Sequence, residues 1–132
     1  RSMQNVVFAY SEHVLASFTV YVVDDSMDAA DSLAMLLSTL GHRAKACYCA
    51  EDLLAFASAE PPDCVMLDIA MAGMDGLQLA QRLRAQFGDD VILVAITGAP
   101  PDDPTVQETF GTVDHYFEKP VTLEQIAKLF PT

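Results

Sequence analysis

The chain has 132 residues, 52% of them hydrophobic, which fits one domain with a sizeable core and leaves too little room for two. Its 7 basic and 19 acidic residues give a net charge of −12. This balance argues against direct nucleic-acid binding, because a phosphate backbone requires a clustered basic stripe. No apolar run approaches the roughly 20 residues of a membrane span, and the opening segment is a poor signal peptide. We therefore expect a cytoplasmic domain without membrane contact, although its parent protein could be membrane-anchored.

The cysteines point to the same compartment. Cys47, Cys49 and Cys64 form no C-x-x-C pair and lie within apolar stretches. We expect them to be small buried side chains of a reducing environment rather than zinc ligands.

The first half of the chain alternates a strand with a helix twice. Residues 19–23 form an apolar run typical of a buried strand, and residues 27–40 repeat apolar side chains at helical spacing. Gly41 suits the position after a helix, where a left-handed backbone costs glycine little. A second strand is predicted over residues 43–47 and a second helix over residues 51–58.

The second half continues this alternation. The predicted elements are, in chain order, a strand over 64–67, a helix over 77–87, a strand over 91–96, a short helix from 104 to about 111, a strand over 115–117 and a helix over 123–130. The last helix is expected to turn Leu123, Ile126, Ala127 and Phe130 toward the core. Five strands alternating with helices predict a doubly wound (βα)5 domain, whose parallel sheet is covered on both faces.

Polar and charged residues follow four of the predicted strands. Asp24 and Asp25 come after the first strand, Asp68 after the third, Thr97 after the fourth and Lys119 shortly after the fifth. In an open parallel sheet, ligands bind outside the carboxyl ends of the strands. We therefore expect three carboxylates, a hydroxyl and an ammonium group to share one crevice, where a divalent cation would offset the carboxylate repulsion.

Residues 19–130 resemble the receiver domain of two-component response regulators. The resemblance is carried by motifs at the predicted strand ends: Asp24-Asp25, Asp68 within the segment 67–76, Thr97-Gly98, and Tyr116 three residues before Lys119-Pro120. Five such motifs in the right order are far more specific than any one of them. The resemblance implies a flavodoxin-like fold with strand order 2-1-3-4-5. Residues 1–18 then form an N-terminal extension, a linker or a tag remnant.

The resemblance also assigns a reaction and a metal site. It implies that Asp68 accepts a phosphoryl group from the histidine of a kinase or a histidine phosphotransfer protein, giving an aspartyl phosphate. It implies that Mg²⁺, for which Mn²⁺ can substitute, is bound by Asp25, Asp68 and the backbone carbonyl of Ala70. Asp24 would hold a metal-bound water or bind the ion directly. The domain would thus catalyse only its own phosphorylation and dephosphorylation.

The resemblance further implies a conformational switch. Lys119 and the Thr97 hydroxyl would bind oxygens of the phosphoryl group. Movement of Thr97 would make room for Tyr116, and the surface formed by the fourth helix, the fifth strand and the fifth helix would change. The Lys119-Pro120 peptide is a candidate for the cis isomer.

Other interpretations of these residues stay open. Asp24 and Asp25 could cap the first helix, Asp68 could be a solvated turn acid, and Tyr116 could simply pack in a strand. A pseudo-receiver that binds partners without phosphorylation would keep the same fold. A haloacid-dehalogenase-type phosphohydrolase would need a second acid two residues after Asp68, where the chain has Ala70.

The origin of the domain is also open. A free-standing receiver, a receiver from a transcription factor and one from a hybrid histidine kinase all fit, and we favour the last because residues 28–33 and 114–116 look similar to such receivers. The output partner or fused effector is unknown. Residues 4–18 hold enough apolar side chains to dock on the domain or on a second copy, which would give a homodimer, but a disordered linker fits as well.

Overall fold

Short strands and helices alternate along the chain, as the apolar pattern predicts. The computed structural model describes residues 17–71 and 76–130, so residues 1–16 of the predicted extension lie outside it. The strands are β1 Thr19–Val23, β2 Arg43–Cys47, β3 Cys64–Asp68, β4 Ile92–Thr97 and β5 His115–Glu118. The helices are α1 Met27–Thr39, α2 Ala50–Ala59, α3 Gly76–Phe87, α4 Pro104–Thr109 and α5 Leu123–Leu129.

The five strands form one parallel sheet in the order β2-β1-β3-β4-β5. The predicted (βα)5 architecture and strand order are therefore confirmed. β3 and β4 each extend to a predicted site residue, so Asp68 and Thr97 are the last residues of their strands. The backbone positions of these two residues are therefore fixed by the sheet and not by a loop.

The centre of the sheet is buried on both faces. Successive strand residues point to opposite sides, and every residue of β1 and β3 is buried. Val20, Val22 and Met66 pack on one side with residues of α1 and α5. Val65 and Leu67 pack on the other side with residues of α2 and α3. This two-sided burial explains why β1, β3 and β4 read as continuous apolar runs.

The inner face of α5 differs from the prediction. Ile126, Leu129 and Phe130 are buried, whereas Leu123 is 49% exposed and Ala127 is also exposed. Thr122 caps the amino end of the helix through a capping box, so Leu123 is the first residue of the helix. The buried set follows i, i+3, i+4 spacing from Ile126, and this turns the contacting face away from Ala127.

The three cysteines are free, and two of them match the expectation of burial. Cys47 and Cys64 are buried, whereas Cys49 is only partly buried. Burial raises the pKa of the Cys47 thiol to about 11. Among the residues that the structure describes, no helix has the length and apolar character needed to cross a membrane.

Arg84 of α3 joins the amino ends of β4 and β5. Its guanidinium donates to the carbonyls of Gly88, Val91 and Thr112 and to Asp114 Oδ2, at 2.9 to 3.3 Å. The same Asp114 oxygen accepts the Leu93 N–H at 2.8 Å. One charged side chain therefore satisfies several backbone groups where three elements meet.

We expect Arg84→Met to lower the free energy of unfolding by about 2 kcal/mol, because several charge-assisted hydrogen bonds are lost. Burial alone would raise the pKa of Asp114, but the Leu93 N–H and Arg84 outweigh it, so the folded pKa lies below its ordinary value. Asp114 therefore stabilises the fold above the unfolded pKa of about 3.9, and this contribution is lost as pH falls through the folded pKa. Urea denaturation at neutral and acidic pH measures both effects.

Arg82→Met is the matched control, since Arg82 is an exposed arginine of the same helix. Equal stability losses for the two variants at neutral pH would show that the Arg84 contacts contribute nothing.

Candidate functional site

The acidic pair lies where β1 turns into α1. The Asp24 N–H donates to the Cys47 carbonyl of the neighbouring strand at 3.1 Å. Asp24 Oδ1 accepts the Ser26 N–H at 2.9 Å, and Ser26 then caps α1 through its side chain. Asp24 is 5% exposed, while Asp25 is exposed. The start of α1 thus fixes one carboxylate under the surface and leaves the other open to solvent.

Asp68 is the last residue of β3 and is 7% exposed. Its Oδ1 accepts the Ala70 N–H at 3.0 Å, and the Ile69 N–H donates to the Ile96 carbonyl of β4. Burial raises the pKa of Asp68 above its ordinary value, and the nearby Asp24 carboxylate adds to this, although the Ala70 N–H and Lys119 oppose it. The carboxylate is therefore held in an environment that disfavours its own charge.

Lys119 directly follows β5 and contacts the acidic residues. Its backbone N–H donates to the Thr97 carbonyl at 2.9 Å. Its Nζ donates to Asp24 Oδ2 at 2.9 Å and to Asp68 Oδ2 at 3.5 Å. Burial lowers the pKa of Lys119, but the two carboxylates together outweigh it and leave the pKa raised. The Lys119-Pro120 peptide bond is cis.

Three carboxylates approach each other closely enough to share one cation. One oxygen from each of Asp24, Asp25 and Asp68 lies within 4.8 Å of the others. Oxygens on opposite sides of a bound Mg²⁺ are about 4 Å apart, so the cluster fits a divalent ion after a small adjustment. The backbone N–H of Ala70 is occupied by Asp68, and the role of its carbonyl as a ligand stays a prediction.

Thr97 and Tyr116 are linked through the backbone of Ala99. The buried Thr97 Oγ1 accepts the Ala99 N–H at 3.0 Å, and the Tyr116 hydroxyl donates to the Ala99 carbonyl at 2.6 Å. The Tyr116 ring also meets Phe110 edge to face, with ring centroids 5.7 Å apart. Sequence reasoning missed this link, because the contribution of Ala99 comes entirely from its backbone.

The structure brings the predicted site residues to one edge of the sheet. Asp24, Asp25, Asp68 and Lys119 lie together, and Thr97 is joined to Lys119 through the backbone. Fold and site together define a flavodoxin-like α/β domain with an acidic crevice at the carboxyl ends of its strands.

The chain belongs to the family of response regulator receiver domains, which it matches over residues 20–130. It is 29% identical to the response regulator MprA of Mycobacterium ulcerans over 110 residues, which cover 83% of this chain and 47% of that protein. The chain thus spans about half the length of such relatives.

Solved structures agree with this assignment. A CheY-like response regulator receiver domain from Methylobacillus flagellatus is 27% identical, with a TM-score of 0.77 over 86% of this chain and 96% of that one. The N-terminal domain of a response regulator receiver protein from Methanoculleus marisnigri JR1 is 30% identical, with a TM-score of 0.69 over 86% and 94%. The two likenesses cover nearly all of each solved domain.

Proposed function

We propose that this domain accepts a phosphoryl group from a phosphohistidine onto Asp68 in a Mg²⁺-dependent reaction. The observation that carries the proposal is the setting of Asp68, a buried carboxylate beside the Lys119 ammonium and two further carboxylates. A carboxylate that burial leaves poorly solvated, close to a fixed cation, is suited to act as a nucleophile.

The transfer is a simple displacement at phosphorus. A carboxylate oxygen of Asp68 forms a bond to phosphorus while the bond from phosphorus to the imidazole nitrogen breaks. The electron pair of the broken bond stays on that nitrogen, and neutral imidazole leaves when the other ring nitrogen of the phosphohistidine carries a proton. The products are an aspartyl phosphate on this chain and an unphosphorylated histidine on the partner, so no oxidant or further reactant is needed.

Catalysis here is a matter of position and charge. Lys119 is held by Asp24, with its Nζ on the side of Asp68 where negative charge would accumulate. The Thr97 hydroxyl accepts from Ala99 and keeps its own proton to donate to a phosphoryl oxygen. When bound by Asp24, Asp25, Asp68 and the Ala70 carbonyl, Mg²⁺ or Mn²⁺ supplies charge neutralisation for the transferred group.

Intact mass spectrometry tests the proposal. The chain is incubated with acetyl phosphate and Mg²⁺, and a parallel sample contains EDTA. We expect one added phosphoryl group per chain with Mg²⁺ and none with EDTA. If neither an adduct nor released inorganic phosphate appears, the domain is a pseudo-receiver that binds partners without phosphorylation.

Lys119→Ala is expected to keep Mg²⁺ binding and to slow adduct formation by roughly a hundredfold, the usual cost of losing one electrostatic contact to a developing charge. Calorimetric Mg²⁺ titration and the rate of adduct formation separate the two functions. Lys128→Ala, at an exposed lysine of α5, serves as the control. A Lys119→Ala chain that binds no Mg²⁺ would contradict the assigned roles.

We also propose that phosphorylation changes the surface of α4, β5 and α5 through the Thr97–Ala99–Tyr116 link. Movement of Thr97 toward a phosphoryl group would break its bond from the Ala99 N–H. The Ala99 carbonyl holds the Tyr116 hydroxyl, so a shift of this backbone would release the ring. Two arrangements of one aromatic side chain would thereby connect the site to the surface.

Tyr116→Phe is expected to be phosphorylated at the wild-type rate but to show smaller phosphorylation-induced amide shifts in α4 and β5. The reason is that its ring is already free of Ala99 before phosphorylation. NMR spectra with and without the phosphodonor measure this difference. The control is Tyr48→Phe, which loses a hydroxyl bond to Asp31 and leaves the contact between Tyr116 and the Ala99 carbonyl in place. Amide shifts as large as those of the wild type in Tyr116→Phe would show that the Tyr116 hydroxyl has no part in the switch.

The partners in this proposal follow from the reaction. A histidine kinase or a histidine phosphotransfer protein supplies the phosphoryl group, and an output partner or fused effector reads the changed surface. We place the domain in the cytoplasm. A hybrid-kinase parent and a homodimer built on residues 1–18 stay predictions, and residues 1–16 lie outside the described part of the chain.

A further inference from the structure

An apolar cavity of about 190 Å³ adjoins the acidic site. It lies between α1, the β1 and β4 strands and the segment after Pro120. Its lining is mostly hydrocarbon, and three charged groups stand at one part of it. The apolar residues are Val22, Val23, Ala29, Leu33, Leu36, Ile96 and Val121, the charged ones are Asp24, Asp68 and Lys119, and Ser32 adds a neutral polar side chain.

The size of the cavity suits one small ring or a short branched chain. An apolar cavity of about 150 Å³ in a protein can hold a benzene molecule. Contact with Leu33, Leu36 and Val121 would remove part of the surface of such a body from water, and burial of apolar surface is favourable.

The charged side chains of the cavity determine which ligand charge it favours. Among the residues that the structure describes, the Lys119 ammonium pairs with both Asp24 and Asp68, so these two carboxylates exceed it by one negative charge. The excess charge is therefore negative. Each carboxylate oxygen can accept more than one hydrogen bond, so Asp24 and Asp68 retain acceptor capacity beside Lys119.

We infer that this cavity binds a small organic ammonium ion: a primary amine that places an apolar body of benzyl size among the α1 side chains and its ammonium group at Asp24 and Asp68. The ligand and a divalent cation would share the same two carboxylates, so each weakens the binding of the other. The inference requires only the cavity and the carboxylates and does not rest on phosphorylation.

NMR titration of the full chain with benzylamine, in buffer without divalent metal, tests the inference. Amide shifts are expected in residues 29–36 and at Val121. Benzyl alcohol, which has the same shape without the charge, should bind at least about tenfold more weakly, since a charge-assisted hydrogen bond is lost. Benzoate should not bind. Equal binding of benzylamine and benzyl alcohol, or shifts confined to other surfaces, would overturn the inference.

Ala29→Leu fills the cavity from α1 and should weaken benzylamine binding at least about tenfold. Ala85→Leu, at an exposed position of α3 on the other side of the sheet, is the matched control and should bind as the wild type does. Leu36→Phe is a second filling variant, used if the spectrum of Ala29→Leu shows loss of fold. Undiminished binding in a folded filling variant would refute the site, and added Mg²⁺ should lower the apparent affinity for benzylamine.

Discussion

Asp68→Asn should abolish the phosphoryl adduct that forms with acetyl phosphate and Mg²⁺. An amide oxygen carries no net charge and cannot form the acyl phosphate, while the hydrogen bond from the Ala70 N–H can still be accepted. Intact mass before and after incubation measures the loss. Asp52→Asn, at an exposed aspartate of α2, should leave the adduct unchanged.

The same substitution should not destabilise the fold at neutral pH. Burial raises the pKa of Asp68, so folding disfavours the ionised form that dominates at neutral pH in the unfolded chain. Replacing it with a neutral amide removes this penalty, and we expect Tm to be equal to or above that of the wild type. An adduct on Asp68→Asn would place the nucleophile on another residue, and a lower Tm would contradict the electrostatic description of the site.

Among the conservative substitutions that we propose in the described residues, Gly76→Ala should lower the free energy of unfolding most. A Cβ on Gly76 would lie 2.3 Å from the Ile69 Cα, a backbone atom that cannot move aside. Ile69 directly follows Asp68, so relief of the clash must displace either α3 or the end of β3. Overpacking of this kind costs about 3 kcal/mol, and adduct formation should slow as well because Asp68 moves.

Gly111→Ala provides the comparison for this variant. A Cβ on Gly111 would meet no heavy atom within 4 Å, so its free energy of unfolding should change by less than about 1 kcal/mol. Urea denaturation of both variants gives the difference. Similar stability for the two would mean that the β3–α3 connection adapts to a side chain at Gly76.

The order of elements and the position of the site were predictable from sequence because both depend on local pattern. Continuous apolar runs mark strands that are buried on both faces, and polar residues at their carboxyl ends must share one edge of a parallel sheet. The pattern was less reliable where burial depends on the neighbours of a helix. Leu123 and Ala127 have the spacing of a core face but are exposed, while Leu129 is buried.

Tertiary structure decided the contacts between residues distant in the chain. Lys119 and Asp24 are 95 residues apart in sequence yet form an ion pair of 2.9 Å. The link from Thr97 to Tyr116 runs through a backbone amide and carbonyl of Ala99, and such groups carry no signature in the side-chain pattern.

By itself, the sequence determined a parallel α/β domain and the chemical groups available at its acidic edge, because these follow from periodicity and residue type. Only the tertiary structure decided which carboxylates are buried, which of them lies closest to the Lys119 ammonium, and that an apolar cavity adjoins them. The physical reason is that desolvation, hydrogen-bond geometry and cavity shape arise where several elements pack together, and no single segment contains them.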